Sequence, residues 1–257
     1  LFGDEEVSLF SAPGRTEIGG NHTDHQLGKV VAASINLDAV ACVSLRNDAI
    51  ISYHADDFDV KDVNVTDLSI HPEEKNTTES LLRGVATGFD HHGYTVGGFN
   101  CYADSEVLSG SGMSSSACFE VLIGTIMNEV YNKGKSTHVE VARIGQYAEN
   151  VYFMKNSGLL DQMACSIGSF AYIDFKDPEN PYVEKINFDP GKFGYDLILT
   201  DVRASHADLS DEYSLVPEEM KAALLSPTTG SIDFVNNSAD GSFNVPLKLQ
   251  SKGTIRY

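Results

Sequence analysis

Val107-Leu108-Ser109-Gly110-Ser111-Gly112-Met113-Ser114-Ser115-Ser116-Ala117 is the stretch on which the reading of this chain turns. Two glycines one residue apart permit a tight backbone turn and leave room for a closely approaching ligand. Three serines then lead into a segment of helical spacing, with Ala117, Val121, Leu122, Thr125, Ile126 and Val130 on one side. A glycine turn that feeds a helix start offers unpaired N–H groups and a partial positive charge, which suits phosphate. The serine hydroxyls add donors, and one of them could ligate Mg²⁺. The plainer alternative is a small-residue turn before a packed helix. Three consecutive serines at the helix start favour the anion site. The stretch lacks the Gly-Lys-Ser/Thr of nucleotide P-loops, and its spacing is not the Gly-x-Gly-x-x-Gly of dinucleotide folds.

What surrounds this loop is an acidic chain of ordinary globular composition. Its 257 residues are 42% apolar and 21% charged, enough for one large domain or two smaller ones. Lys and Arg number 18 against 37 Asp and Glu, a formal charge of −19. Such a balance repels nucleic acid and anionic membranes, so neither is expected as a partner. It also means that a bound polyphosphate needs local help from backbone dipoles, a cation or a few basic side chains. Cys42, Cys101, Cys118 and Cys165 form no Cys-x-x-Cys pair and lie among small or apolar neighbours. Reduced, buried thiols in a cytoplasmic protein are expected. No apolar run is long enough to span a bilayer, and the start lacks a signal-peptide pattern.

Upstream of the loop, Val7 to Phe10 predicts a short strand entering a long loop, Ser11 to His25. Lys29 to Ile35, Ala39 to Leu45 and Ile50 to Tyr53 predict strands, with turns at Asn36-Leu37-Asp38 and Arg46-Asn47-Asp48. Val60 to Val65 predicts an edge strand, Thr78 to His92 a helix with Leu81, Leu82, Val85, Ala86 and Phe89 inward, and Gly97 to Ala103 another strand. Downstream, Val139 to Met154 predicts an amphipathic helix. Asn156-Ser157-Gly158 interrupts it, and a helix restarts over Leu159 to Ile167 with Ser157 as candidate cap. Strands are predicted at Phe170 to Phe175, Tyr182 to Phe188 and Tyr195 to Thr200, and a helix from Pro217. From Ser226 onward the chain turns rich in Ser, Asn, Gly and Thr. Strands first, then helices with interleaved strands, argue for an α+β fold.

Several polar residues stand apart from this packing pattern. Arg15, in Pro13-Gly14-Arg15, would sit at a loop tip, where a guanidinium forks onto phosphate or carboxylate; a surface ion pair is the commoner fate. Asn21, His22, Asp24 and His25 could hydrogen-bond a polyhydroxylated ligand or could cap their own turn. His22-x-x-His25 with Asp24 could also suggest a metal, but no third ligand cluster stands out. Asp161 falls in the first turn of the restarted helix, where it complements the dipole or accepts a proton from an attacking hydroxyl. Glu149 is either a solvated helix residue or a Mg²⁺ ligand.

Taken together these residues resemble the GHMP small-molecule kinases, and within them the galactokinases. Pro13-Gly14-Arg15-Thr16-Glu17-Ile18-Gly19-Gly20-Asn21-His22-Thr23-Asp24-His25 is similar to the galactokinase signature, and Gly110-Ser111-Gly112-Met113-Ser114-Ser115-Ser116-Ala117 to the superfamily's ATP phosphate loop. Gly158-Leu159-Leu160-Asp161-Gln162 is similar to the segment bearing the catalytic Asp, and His206 to Tyr213 to a later segment that ends in a sugar-contacting Tyr. The resemblance covers residues 7 to 220.

It implies ATP-dependent phosphorylation of the anomeric hydroxyl of galactose or a close analogue. Asp161 would be the base and Arg15 would steer the hydroxyl. Asn21, His22, Asp24, Gly158 and Tyr213 would hold the sugar. Gly110, Ser111, Gly112, Met113, Ser114, Ser115 and Ser116 would wrap the ATP phosphates, with Ser116 and Glu149 as Mg²⁺ ligands. A sugar- and ATP-binding regulator without turnover is the competing reading. The implied architecture is an N-terminal domain like the second domain of ribosomal protein S5, over residues 1–190, and part of a ferredoxin-like domain over 191–257. The expected partner is a small-molecule sugar, and the expected state a monomer or weak oligomer. Family members usually carry Glu where Asn21 stands and Tyr where His25 stands, which touches the sugar side. The superfamily's third, glycine-rich motif is absent. With Leu1 in place of Met and the change of character after Leu225, this leads to the expectation that the 257 residues are not the complete working polypeptide.

Overall fold

A computed structural model describes residues 6–200 apart from Asp57 and Ser109. They form a seven-stranded mixed sheet in the order β4-β3-β5-β2-β6-β7, with β1 also paired to β2. The strands are β1 (Ser8–Gly19), β2 (Lys29–Leu45), β3 (Ile50–His54), β4 (Val63–Asn64), β5 (Phe99–Ser105), β6 (Phe170–Asp174) and β7 (Tyr182–Ile186). Only β3 and β5 run parallel; the other pairs are antiparallel. Four helices accompany the sheet: α1 (Thr78–His91), α2 (Ser115–Asn132), α3 (His138–Tyr147) and α4 (Leu160–Ile167). This is the α+β class expected.

The organising strand is β2. Its 17 residues pair with β1 from Val31 to Val43, while β5 takes Ala39 to Leu45 and β6 takes Lys29 to Ala33. Residues Ala39, Ala41 and Val43 are buried while Val40 is exposed, so one face of this part of the sheet carries the core. Against it lie Leu82, Val85 and Phe89 of α1 and Leu122, Ile126 and Met127 of α2, packed with Val43, Ile51, Phe99 and Cys101. A second cluster, in which Leu160, Met163 and Ala164 meet Val30, Ala32, Ala171 and Ile173, seats α4 against β2 and β6. That cluster fixes where the first turn of α4 points.

Three strand expectations are corrected. The first is the short strand with a long loop after it: β1 runs unbroken through Pro13-Gly14-Arg15, with register shifts between Pro13 and Arg15 and between Glu17 and Gly19. A bulge absorbs a proline that cannot donate to the ladder. The second is the turn at Asn36-Leu37-Asp38. Asp38 pairs with Pro13, and its carboxylate accepts from Ser11 Oγ, so β2 continues through turn-like residues because β1 lies beside it. The third is the strand at Tyr195–Thr200, which is not present. Tyr195, Leu197, Ile198 and Leu199 are exposed, and an apolar run becomes a strand only where an edge receives it.

The helices follow their expected spacing more closely. Thr77 caps α1 by accepting from Ser80 N–H, and all five residues expected inward are buried. Thr137 and Glu140 form a reciprocal capping box at the start of α3. The predicted helix to Met154 instead changes at Ala148 into a π-helical turn, Ala148–Tyr152, which carries Glu149. Ser157 does not cap α4. Its N–H and hydroxyl both go to Asn150 Oδ1, and the helix start is served by Asp24, whose carboxylate accepts from Leu160 N–H at 3.0 Å. Tyr213 and the helix from Pro217 lie outside the described residues, as does most of the stretch 191–257 assigned to a second domain.

Candidate active site

The bulge in β1 aims Arg15 inward, not at a loop tip; the residue is 8% exposed. Its Nε donates to Asp161 Oδ1 at 2.7 Å and its Nη2 to Asp161 Oδ2 at 2.8 Å. Nη1 donates to the Gly112 carbonyl at 2.6 Å, and the Arg15 N–H to the Met113 carbonyl at 3.2 Å. Strand, phosphate-loop candidate and helix α4 therefore meet on one guanidinium. Burial alone would raise the Asp161 carboxyl. The charge and hydrogen bonds of Arg15, helped by Ser114 and His22, outweigh it and hold the group below the ordinary carboxylate range. Burial works against the Arg15 charge, and Asp161 more than restores it.

The glycine turn has the backbone its composition requires. Gly110 and Gly112 take φ of 72° and 80°, the left-handed region, and Ser114 takes 60°. A serine at this position would ordinarily cap the helix that follows. Here no side chain caps α2, and the Ser114 hydroxyl donates to Asp161 Oδ2 instead. The first turn of an 18-residue helix is thereby left open to an anion.

At the second residue of α2, Ser116 Oγ donates to Glu149 Oε1 at 2.9 Å. Glu149 is 2% exposed and its other oxygen accepts from Gln162 Nε2 at 2.9 Å, so the residue after Asp161 holds it. The same Gln162 amide donates to Glu120 at 2.9 Å. Burial, reinforced by Glu149, pushes the Glu120 carboxyl well above the ordinary range. Glu120 Oε1 and Gln162 Oε1 have no hydrogen-bond partner among the described residues. A carboxylate and a hydroxyl side by side are hard oxygen donors. Lys155 Nζ already sits 2.7 Å from Glu149 Oε1, and an ammonium there marks a place that accepts a cation. Ser116 and Glu149 thus fit a small divalent ion that completes its shell with phosphate and water. Among the described residues no group of three or more His, Cys, Asp and Glu could hold a metal, so His22-x-x-His25 gains no support as a ligand pair.

The polar loop reaches the same centre from the other side. His22 Nδ1 lies 4.0 Å from Asp161 Oδ1, while its Nε2 is 3.4 Å from Glu17 Oε2. Glu17 also accepts from His22 N–H at 3.1 Å, a support the sequence reading missed. Asn21 and His22 are exposed and adopt left-handed backbone, with φ of 52° and 50°. Asp24 is buried against the start of α4, and Gly158 is what lets it in. A Cβ on Gly158 would stand 1.7 Å from Asp24 Oδ2. Lys155, Gln162 and Glu120 were also missed. Gln162 stood in the quoted Asp161 segment without a role of its own, and Lys155 and Glu120 belong to no local pattern.

Comparison with known proteins bears on the family and the fold. The galactokinase galactose-binding signature matches residues 1–45, and the GHMP kinase N-terminal domain matches residues 80–169. A galactokinase of Streptomyces coelicolor is 33% identical over 216 residues, covering 83% of this chain and 55% of that protein. A galactokinase of Streptococcus suis is 29% identical over 241 residues, covering 91% of this chain and 61% of that protein. The chain thus spans little more than half the length of these curated relatives. Among solved structures, a Lactococcus lactis galactokinase complexed with galactose superposes with a TM-score of 0.63 at 26% identity, over 71% of this chain and 48% of that one. The mevalonate kinase of Methanococcus jannaschii, at 16% identity, a TM-score of 0.59 and coverage of 74% and 59%, shares the fold. Among the described residues no helix is long and apolar enough to cross a membrane.

Proposed function

The chain belongs to the galactokinase-like GHMP kinases, and on that premise we propose that its protein transfers the γ-phosphoryl group of ATP to the anomeric hydroxyl of galactose. The observation that carries this reading is the two-pronged Arg15–Asp161 pair, set between the phosphate loop and the His22 loop. Phosphoryl transfer asks for alignment and charge neutralisation more than for covalent chemistry, and such a pair supplies both. The C1 hydroxyl oxygen attacks the γ-phosphorus, and the bond from that phosphorus to the bridging oxygen breaks as ADP leaves. The hydroxyl proton passes to Asp161. A carboxylate held this acidic takes the proton late, once bond formation has acidified the hydroxyl, which suits a loose transition state. Arg15 orients the base and faces the charge on the transferring group.

The remaining assignments draw support from the same geometry, except Tyr213, which rests on the family resemblance. Gly110 to Ser116 and the open start of α2 cradle the phosphates. Ser116 and Glu149 would hold Mg²⁺, which would supply positive charge to the phosphate oxygens. His22, Asp24, Gly158, Asn21 and, outside the described residues, Tyr213 form the sugar side. The test is a coupled assay of ADP release with a panel of sugars, run on the full protein. Galactose-dependent ADP release with galactose 1-phosphate as product is expected. ADP release no faster with galactose than without any sugar would overturn the proposal.

A further inference from the structure

We propose that Lys155 is a phosphate-positioning residue that Glu149 holds in reserve. Its ammonium rests on that carboxylate until a metal takes it, and then turns to the phosphate chain of the bound nucleotide. The inference rests on the kinase reading above and extends it to a residue that reading does not use.

Geometry is the first support. Glu149 Oε1 accepts both the Lys155 ammonium at 2.7 Å and the Ser116 hydroxyl at 2.9 Å. The cation therefore occupies the oxygen that a divalent ion would need. The Glu149 side chain is 2% exposed and the Lys155 side chain 32%, so the lysine stays partly open to solvent while the oxygen it holds is buried. The backbone fixes that approach. The Lys155 N–H donates to the Glu149 carbonyl at 3.1 Å, and Met154 before it is left-handed, with a φ of 62°.

Donor arithmetic is the second support. Arg15 spends three of its five side-chain N–H donors, Nε and Nη2 on Asp161 and Nη1 on Gly112. An ammonium carries three donors, and Lys155 uses one of them on Glu149. In a chain of formal charge −19, a triphosphate beside Asp161 and Glu149 needs positive charge close at hand. Lys155 is a cation at this site whose partner can be exchanged.

A purely structural ion pair would look the same in the unliganded protein, so the test must separate the two roles. Binding of ATP is measured by calorimetry in chelator, without metal, for wild type, Glu149→Gln, and the double variant Glu149→Gln with Lys155→Met. Glu149→Gln releases the ammonium and should bind metal-free ATP about tenfold more tightly than wild type, the value of one charge-assisted hydrogen bond. The double variant, which buries no unpaired charge, should lose that gain. Lys155→Arg in the Glu149→Gln background should keep part of it. Equal affinity of Glu149→Gln and the double variant would overturn the inference. Loss of ATP binding in every protein, wild type with Mg²⁺ included, would instead sink the kinase reading itself.

Discussion

The proposed phosphate side and the proposed sugar side of this site are built differently. On the phosphate side, Ser114, Ser116, Glu149 and Gln162 are tied to one another or to Asp161 before any ligand arrives. Two cations each hold one carboxylate, Arg15 on Asp161 and Lys155 on Glu149. On the sugar side, Asn21 and His22 stand exposed on left-handed backbone, and the rigid part is one buried contact, Asp24 against Leu160. Under the proposed function, transfer chemistry would rest on a pre-set polar frame, and substrate choice on a short irregular segment.

That contrast gives an order of effects. Asp161→Asn strikes the junction of the two sides and should cost most. It keeps the side chain's shape, so the fold and ATP binding should survive, while kcat falls by about a hundredfold or more through loss of the proton acceptor. Near-normal turnover would show that the pair is structural. Gly158→Ala strikes the rigid part of the sugar side. The added methyl stands where Asp24 Oδ2 lies, so Asp24 must leave Leu160. We expect a stability loss of about 2 kcal/mol or more by denaturant titration, with a raised KM for galactose. An unchanged melting curve would mean the contact is not formed.

Asn21→Glu tests the irregular segment alone. A carboxylate only accepts where an amide also donates, so the hydroxyl pattern read there must change. Ratios of kcat/KM among galactose, galactosamine, 2-deoxygalactose and arabinose should shift severalfold while stability stays put. An unaltered ranking would remove Asn21 from the sugar side. The smallest effect concerns pH. The folded Asp161 carboxyl ionises below its unfolded value of about 3.9, so what the ion pair adds to stability is complete above that value and fades as pH falls through the lower folded one. Between pH 5 and 7 kcat should therefore show no acid limb from this residue; a limb in wild type that vanishes in Asp161→Asn would contradict the pairing.

The sequence was legible where the physics is local. The apolar spacing of α1, the glycine turn before α2 and the placement of Asp161 at the start of α4 all came from neighbouring residues. It misled where a partner far along the chain decides. Pro13-Gly14 and Asn36-Leu37-Asp38 carry turn chemistry, yet each is held in a strand by the other. Ser157 has the chemistry of a cap, yet Asp24, 136 residues from Leu160, takes the place. Arg15 and His22 lie beside Asp161, and Ser116 beside Glu149, all four residues legible in the sequence as polar groups apart from the core, whereas Glu17, Glu120 and Lys155 were not. Their role depends on which side chains fold against them, and no spacing encodes that.

The most direct measurement is a crystal structure of the protein with galactose and a non-hydrolysable ATP analogue. The anomeric hydroxyl should lie within hydrogen-bond reach of Asp161, about 2.6–3.2 Å, and in line with the γ-phosphorus over the Arg15 guanidinium. An anomeric hydroxyl turned away from Asp161, with another sugar hydroxyl or no hydroxyl at that carboxylate, would contradict the assignment of the Arg15–Asp161 pair as the transfer centre.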